Sequence, residues 1–325
     1  MRKYLLLILA ILLIPAGARE MKDAFGYNVT LPDTVTRTVS MDSMVSQFIF
    51  ALQKTELLVA ARASSSVRGS NIKRSFPHMR ELIDAGNSHN ADIELIFSLK
   101  PDIIFTTAGK AADRLSSLGA PLFFLEIEGL DKIRNTLFLM GSALNAEKRA
   151  AEIVSYLGGL LERAAKNRSS IPEEKKRKVY MTGSGFLSTF GADFFQNELV
   201  LAAGGISVTS GLKGGKVNIS LEEVYRKDPD FIFNAAYCKE DLKKIKRSKT
   251  YRGLRAVKEG NIKRMPFYLI SWDTPGPEAV LGILWMQSVL YPEFFKEDIK
   301  KLTREFYERV YGIALSEKEI EEIFR

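Results

Sequence analysis

The chain has 325 residues, of which 46% are hydrophobic and 26% charged, with a formal net charge of +8 at pH 7. This is the composition of a globular protein with room for two ordinary domains. The basic residues are spread along the chain except for a cluster at 173–178, which we expect to be a solvated loop. Without a basic stripe or a recognisable binding module, the sequence predicts no nucleic-acid partner.

The N-terminal segment has the pattern of a secretory signal. Arg2 and Lys3 precede an apolar run, Tyr4–Ile14, and small residues follow at Ala16 and Ala18. We predict a signal peptide at 1–18 that is cleaved after Ala18; because the run is shorter than the roughly 20 residues of a membrane span, an uncleaved anchor is the alternative. The mature charge is then about +6.

Cysteine usage bears on localisation. Cys238 is the only cysteine, so no internal disulfide can form, and no cysteine follows the cleavage site for lipid attachment. We therefore expect an exported, periplasmic or extracytoplasmic protein that is soluble without a lipid anchor. Cys238 itself is expected to be a small buried hydrophobic residue.

Short apolar strands alternate with helical stretches along the rest of the chain. A β-ribbon is predicted near 26–39. Further strands are predicted at 37–41, 57–61, 102–107 and 121–126, and in the second half at 177–183, 231–237 and 262–268. This alternation is typical of parallel sheets flanked by helices, which predicts an α/β lobe at 19–130 and a second at 169–325.

One phrase occurs twice: IELIFSLKPDIIF begins at Ile93, and ISLEEVYRKDPDFIF begins at Ile219. Glu94 and Glu222 lie 128 residues apart, as do Pro101 and Pro229. Each copy predicts a helix, a tight turn before proline, and a buried strand.

The helices of the two copies have their own signals. Ser220 and Glu223 fit a capping box, and Asp92 or Asn90 is the candidate cap in the first copy. The residues predicted to point inward are Ile93, Ile96 and Phe97 in the first copy and Leu221, Val224 and Tyr225 in the second.

The stretch between the lobes, 131–168, is predicted to be helical. Asn145 is a plausible cap, and the helix from there to Asn167 would be roughly 34 Å long, the diameter of a small domain. Gly158 and Gly159 weaken it locally. Such a helix would be a rigid linker that holds the lobes at a nearly fixed separation.

These phrases together resemble the class III periplasmic substrate-binding proteins of ABC importers, the group that captures ferric siderophores, cobalamin and haem. The resemblance rests on DAFGYNVTLPDTVTRTVSM, the two repeated phrases, NELVLAAGGISV, and SWDTPGPEAVLGILWMQSVLYPEFF followed by FYERVYG, in this order. It implies two α/β lobes joined by one long rigid helix, with ligand in the shallow cleft between them.

The resemblance also implies a role for the repeated glutamates. In the cobalamin-binding members a glutamate on each lobe docks onto arginines of the permease in the inner membrane, and Glu94 and Glu222 stand at the matching places. Two carboxylates on a stiff body can engage two basic sockets at once. The alternative is simple helix-end stabilisation, since the helix dipole favours glutamate in a first turn.

Ligands of open α/β sheets gather beyond the carboxyl ends of the strands, so the candidate ligand-binding residues are sought in those loops. Cations there could meet an anionic iron chelate, and aromatic rings offer flat surface. The candidates are Arg62, Arg68, Lys110, Phe186, Lys216, Tyr237, Tyr268 and Trp272. Each cation could instead be a solvated surface charge.

The ligand is expected to be an iron-siderophore-type metal chelate, with cobalamin or haem as the alternative. Cobalamin is disfavoured because Ser88 and Lys216 stand where cobalamin binders carry aromatic residues. A bare metal ion is disfavoured because His78 and His89, in different loops, do not make a four-coordinate site. We expect no cofactor and no metal site, and a monomer.

An exported enzyme is the competing class. No G-x-S-x-G elbow, HExxH motif or phosphate-binding GxxxxGK[ST] loop occurs in the sequence, and one cysteine cannot hold a metal cluster. The sequence therefore predicts solute capture without catalysis.

Overall fold

The computed structural model describes residues 17–63 and 69–325. The predicted signal peptide lies outside this part of the chain up to residue 16, as does Arg68. The described chain opens with a ribbon in which β1 (Ala18–Lys22) pairs antiparallel with β2 (Asn28–Pro32). It begins before the predicted bounds of 26–39, within which only β2 falls. Ala18 is already paired with Pro32, so the predicted cleavage point falls at the first pair of the ribbon.

The first lobe is built on a five-stranded parallel sheet of order β5-β4-β3-β6-β7. Its strands are β3 (Thr38–Ser40), β4 (Leu58–Ala61), β5 (Ile83–Asp84), β6 (Ile103–Thr106) and β7 (Leu122–Phe124). The helices between them are α1 (Ser43–Ala51), α2 (Ser70–Ser75), α3 (Ile93–Ser98) and α4 (Lys110–Ser117). The strands predicted from their apolar runs are thereby confirmed.

The second lobe has a four-stranded parallel sheet of order β10-β8-β12-β13. Its strands are β8 (Lys178–Met181), β10 (Ile206–Ser207), β12 (Phe231–Asn234) and β13 (Ile262–Arg264), and a separate antiparallel pair joins β9 (Ser188–Phe190) to β11 (Lys216–Asn218). The two-lobe α/β prediction is confirmed.

The linker is two helices rather than one helical stretch. Helix α5 (Leu130–Ala143) packs against α6 (Glu147–Ser169), whose 23 residues span roughly 34 Å. Asn145 does not cap α6 as predicted, because its backbone is left-handed at φ +51 and Ala146 holds the cap position. The predicted long helix is otherwise confirmed and runs unbroken through the two glycines.

The remaining helices are α7 (Phe195–Ala202), α8 (Leu221–Lys227), α9 (Leu242–Arg247), α10 (Arg255–Lys258), α11 (Ala279–Leu290), α12 (Ile299–Tyr311) and α13 (Glu317–Ile323). Helix α11 packs on α6 and α7, whereas α12 contacts α1 of the first lobe. One hydrophobic cluster continues from Phe105 and Phe123 of the first sheet to Met181 and Phe233 of the second. The C-terminal helices thus join both lobes.

Helix α6 is tied to its surroundings near both ends. Near its start, the Arg149 guanidinium donates to the carbonyls of Ala51 (3.2 Å), Arg309 (2.7 Å) and Val310 (2.8 Å). Near its end, Gln287 of α11 donates to the carbonyl of Ala164 at 2.8 Å. These bonds fix helix α6 against α1, α11 and α12, and so against both lobes.

The repeated phrase builds the same local structure twice. The residue before each proline, Lys100 or Asp228, is left-handed, with φ of +45 and +43 respectively. The aspartate after each proline then accepts from backbone amides at the start of a neighbouring strand. Asp102 accepts from Thr36 and Arg37, just before β3, and Asp230 accepts from Lys178, the first residue of β8. The left-handed residue ends the helix and aims the following strand into the sheet.

Three details of these helices differ from the prediction. Phe97 is 40% exposed and Tyr225 is 40% exposed, so only Ile96 and Val224 of the predicted inward residues are fully buried. Ser220 accepts a bond from the Glu223 amide at 3.1 Å, but the Glu223 carboxylate pairs with Arg226 and not with the Ser220 amide. Ser220 therefore caps the helix, but the Glu223 carboxylate does not accept from the Ser220 amide as a capping box requires. Asp92 caps the first copy, accepting from the Leu95 amide.

None of the helices within residues 17–63 and 69–325 combines the length and the hydrophobicity that a membrane-crossing segment needs.

Candidate ligand-binding cleft

Polar residues near the strand ends of both lobes are the candidates for lining a cleft between the two sheets. Asp42 follows β3, Arg62 follows β4 and Glu128 precedes α5, while Lys216 lies on β11 and Tyr237 follows β12. We call these five residues the cleft cluster. Burial raises the pKa of both carboxyl groups, and the charge of Lys216 acts against that rise.

Asp42 is a buried carboxylate with a structural partner. Its side chain caps α1 by accepting from the Met44 amide at 2.8 Å, and the residue is only 7% exposed. Burial raises its pKa, whereas the amide bond and the nearby charges of Arg62 and Lys216 act in the opposite direction. Burial is the largest of these effects, so the pKa of Asp42 is raised overall.

Glu128 lies on the surface just before α5. Loss of solvent raises its pKa; Lys216 lowers it and the Asp42 charge raises it further. Another glutamate bonds the linker to the second lobe: Glu198 of α7 accepts from the amide of Leu130, the first residue of α5, at 3.0 Å. This bond fixes the start of the linker to the second lobe.

Lys216 lies against aromatic surface of its own lobe. Its ammonium nitrogen is 5.8 Å from the ring centroid of Phe194, which stacks on Phe190 with centroids 5.5 Å apart. The strand pairing of Lys216 with Phe190 fixes this position. The side chain remains exposed, so its charge is available to a ligand.

Tyr237 is held by a buried carboxyl group. The residue is 44% exposed, and its hydroxyl donates to Asp273 Oδ2 at 3.0 Å. Asp273 is fully buried, also accepts from Ser271, and has a pKa raised by burial. Burial and the Asp273 charge also raise the pKa of Tyr237. With its proton directed to Asp273, the phenol oxygen presents a lone pair to the cleft.

Three predicted aromatic contacts are corrected, because their side chains are inside the protein. Phe186 has no exposed surface and packs against Tyr180 and Tyr251. Trp272 is also fully buried, with its indole N–H donating to Tyr307. Tyr268 is 3% exposed and its hydroxyl donates to Glu319 at 2.7 Å. None of the three offers a surface to a ligand.

The other predicted residues are scattered. Lys110 is exposed at the start of α4, at the first lobe's strand ends. His78 and His89 are exposed in separate loops, and the described residues hold no cluster of three or more histidine, cysteine or acidic side chains fit for a metal ion. Arg68 lies outside the described residues. Of the predicted set, Arg62, Lys216 and Tyr237 remain candidates for ligand contact.

The sequence predicts a role for the cations and the tyrosine of the cleft cluster and assigns none to Asp42 or Glu128. Asp42 directly follows the predicted strand at 37–41, and that position is the available signal. Glu128 lies two residues beyond the predicted strand at 121–126, so the same signal applies to it less directly.

Glu94 and Glu222 are both exposed, each in the first turn of its helix. Neither carboxylate has a hydrogen bond or ion pair with another described residue. Asp92 and Ser220 already cap these helices, so capping needs neither glutamate.

Known proteins share this architecture. The sequence profile of the periplasmic binding protein family matches residues 39–269, well over half of the chain. This chain belongs to that family. It is a periplasmic binding protein of an ABC importer, and its relatives are substrate-binding transport proteins rather than enzymes.

Among its relatives, the molybdate-binding protein MolA of Haemophilus influenzae is 24% identical over 319 residues, covering 90% of this chain and 91% of MolA. The MolA structure bound to molybdate superimposes with a TM-score of 0.83 at 22% identity, covering 92% and 99% of the two chains. The Helicobacter pylori protein CeuE, solved as a nickel–histidine complex, gives 0.80 at 18% identity, covering 95% and 99%. These similarities extend over the whole of both lobes.

Proposed function

We propose that this periplasmic binding protein captures a metal chelate of the siderophore type in the inter-lobe cleft and delivers it to an ABC permease. The observation that supports a ligand site there is the cleft cluster, whose charged residues come from near the strand ends of both lobes and, among the described residues, form no ion pair with one another. Arg62 and Lys216 supply the positive charges that a carboxylate- or catecholate-bearing chelate needs.

A simple oxyanion is the second candidate ligand. It is favoured by the similarity to MolA, which binds molybdate and matches nine-tenths of this chain. The same two cations would have to bind it, and Tyr237 could not donate to it without losing its bond to Asp273. Cobalamin and haem are further outcomes of the same test.

The test is native mass spectrometry together with calorimetric titration of the mature protein against ferric siderophores, haem, cobalamin and molybdate. We expect a one-to-one complex with a chelate, and we expect Lys216→Ala to weaken it by about tenfold or more, the loss typical of one charge-assisted contact. Lys263→Ala, which removes an exposed cation on β13, is the matched control. Tight binding of molybdate with no chelate bound would favour the oxyanion.

Delivery is proposed to depend on Glu94 and Glu222, which are exposed and structurally equivalent in the two lobes. Helix α6, bonded near both ends, would hold the two carboxylates at a fixed separation for two basic sockets of the permease. We further propose that the protein acts as a soluble monomer after export, without a lipid anchor.

A further inference from the structure

The second lobe carries a surface with a large excess of positive charge. Residues 243–252, which we call the polybasic segment, hold six basic side chains and no acidic one, a denser cluster than the one at 173–178. The wider stretch 239–264 has eleven basic and three acidic residues, so its net charge equals the +8 of the whole chain. The basic residues are therefore not spread evenly, and the excess charge of the protein is concentrated in one part of the second lobe.

The polybasic segment consists of most of helix α9 and the turn that leads to α10, and Ile245 is its one fully buried residue. All six basic side chains are exposed, and none of them has an ion pair or a side-chain hydrogen bond with any residue that the structure describes. They are Lys243, Lys244, Lys246, Arg247, Lys249 and Arg252.

This pattern differs from that of an ordinary solvated surface, which mixes both signs of charge. Helix α12 shows the ordinary pattern, with Glu305 and Glu308 lying between Arg304 and Arg309. In the polybasic segment, like charges repel one another at helical spacing and no carboxylate relieves them. Such a surface is complementary to an anionic partner.

The polybasic segment is bonded to helix α8, which carries Glu222. The Tyr225 hydroxyl of α8 donates to the Thr250 carbonyl at 3.2 Å, and a side chain at Gly253 would collide with the same hydroxyl. Tyr225 lies three residues after Glu222, so the two share a side of α8, and Tyr225 is 40% exposed. The surface thus combines six cations with an exposed ring that has an apolar body and a polar tip.

We propose that the polybasic segment binds the anionic lipid surface of the membrane in which the permease lies. The chain is a periplasmic binding protein of an ABC importer, so its work takes place at a membrane. Anionic headgroups attract clusters of lysine and arginine that come close to the surface, and tyrosine is common at the boundary between membrane and water. The inference concerns a second surface and does not depend on which ligand the cleft carries.

An acidic protein surface is the other partner that this charge would suit, and the residue types favour lipid. Four of the six cations are lysines. Lysine is depleted in protein–protein interfaces, whereas arginine is enriched there because its planar fork pairs with fixed acceptors. Flexible ammonium groups suit a diffuse layer of charge, in which no partner has a fixed position.

Membrane binding of this kind has a consequence for delivery. A protein held loosely at the lipid surface meets the permease at a higher effective concentration than a freely diffusing one. Because Glu222 lies on the helix that is bonded to the polybasic segment, lipid contact would bring this carboxylate close to the membrane. This consequence rests on the proposed docking of Glu222, whereas lipid binding itself does not.

The experiment measures flotation of the mature protein with vesicles of phosphatidylcholine alone, or of phosphatidylcholine mixed with anionic phosphatidylglycerol. Two variants lose the same charge at different places, and glutamine is a good helix former at each of them. The basic-surface variant combines Lys243→Gln, Lys246→Gln, Lys249→Gln and Arg252→Gln. The control variant combines the exposed positions Arg134→Gln, Lys148→Gln, Lys166→Gln and Lys300→Gln.

We expect the wild type to bind the anionic vesicles and not the neutral ones, and to be released at about 1 M salt, where the screening length is roughly 3 Å. The basic-surface variant should bind about a hundredfold more weakly, since each cation near an anionic membrane contributes about fivefold. The control variant should lose less than about threefold, because its cations lie away from the membrane.

Absence of wild-type binding to the anionic vesicles, or equal losses in the two variants, would overturn the inference and leave the proposed function standing. If the wild type bound no vesicle but the basic-surface variant lost affinity for the permease in an uncharged detergent, the partner would be an acidic protein surface instead. Because the vesicles contain no permease and the protein carries no ligand, failure of the proposed function would not change these results.

Discussion

The two copies of the repeated phrase place an aspartate at the same point but hold it with different partners. In the first lobe, Asp102 accepts from the amides of Thr36 (2.7 Å) and Arg37 (2.9 Å) and from the Thr36 hydroxyl (2.9 Å). In the second lobe, Asp230 accepts from the Lys178 amide at 2.7 Å and from the Arg255 guanidinium at 2.8 Å.

The difference shows what the phrase encodes and what it leaves to the rest of the chain. The helix, the left-handed residue and the Pro-Asp turn are local and are repeated faithfully. The groups that donate to the aspartate come from distant segments, which supply neutral donors in one lobe and a charged arginine in the other. Neutral donors hold their strength in salt, whereas a partly exposed ion pair does not.

The largest expected effect concerns the feature that the two copies share. If Glu94 and Glu222 both dock on the permease, Glu94→Arg with Glu222→Arg should reduce ligand-dependent stimulation of the permease ATPase by about a hundredfold or more, because two linked contacts are lost. Each single reversal should cost about the same, since the sites are equivalent. The measurement is ATPase activity of the reconstituted permease.

The control for this pair is Glu56→Arg, an exposed glutamate at the amino-terminal side of β4. Ligand affinity should be unchanged in all of these variants. Unaltered stimulation by the double reversal would leave both glutamates with a purely local role.

The next prediction asks whether the two lobes are stabilised independently. Glu278 is fully buried at the start of α11, within the C-terminal helices that pack on both lobes, and accepts from the Tyr311 hydroxyl. Burial raises its pKa to about 7. The folded state therefore binds this proton more tightly than the unfolded chain, and stability falls as the pH rises through the interval from the unfolded value of 4.5 to about 7.

Glu278→Gln should remove this loss. Relative to that of the wild type, the free energy of unfolding of the variant should rise by about 3 kcal/mol between pH 4.5 and pH 8, at 1.36 kcal/mol per pKa unit. Denaturant unfolding at the two pH values measures it, with Glu321→Gln as the exposed control. Because the helices are shared, one unfolding transition should shift as a whole; two transitions, of which only one moved, would show independent lobes.

The third prediction compares how much Asp102 and Asp230 contribute to stability. Asp102→Ala should destabilise the fold by about 2 kcal/mol, because two backbone amides lose their acceptor, and Asp230→Ala by about 1 kcal/mol, because Arg255 keeps Asp228 as a partner. Equilibrium denaturation provides both values. Equal losses of stability in the two variants would show that the different donors to Asp102 and Asp230 contribute alike.

The first aspartate should also respond to acid. Although burial acts to raise it, the bonds from Thr36 and Arg37 hold the pKa of Asp102 below its usual value. Its contribution is therefore complete above pH 3.8, the usual pKa of aspartate in an unfolded chain, and is lost as the pH falls through the lower pKa of the folded state. Asp102→Asn should reduce the wild type's loss of stability over that range.

Local patterns sufficed to predict most of the fold. The apolar runs located β3, β4, β6, β7, β8 and β12, because strands buried in parallel sheets are continuously hydrophobic. The helix ends were less predictable: Asn145 has the side chain of a cap but adopts the left-handed turn between α5 and α6 instead. Phe97 and Tyr225 follow helical spacing and are nevertheless exposed, since spacing cannot show how wide the buried face is.

The site was less predictable than the fold. Aromatic residues at strand ends suit a ligand surface and a core equally well, and the packing of α12 and α13 decides for the core at Tyr268 and Trp272. The four charged residues of the cleft cluster, Asp42, Arg62, Glu128 and Lys216, come from four separate segments, so their arrangement depends on how the two lobes are assembled.

The smallest expected effect tests whether the contacts that hold Asp230 are ionic. Arg255→Met keeps the aliphatic part of the side chain and removes its pairs with Asp228 (3.0 Å) and Asp230 (2.8 Å). Since the arginine side chain is 41% exposed, the loss should be only about 0.5–1 kcal/mol at low salt. At about 1 M salt, where the screening length is roughly 3 Å, the difference from wild type should shrink toward zero. The loss caused by Asp102→Ala should stay constant over the same range, because its donors are neutral. If the effect of Arg255→Met did not depend on salt, the arginine would stabilise the fold through packing. The contacts of Asp102 and Asp230 would then not differ in ionic character.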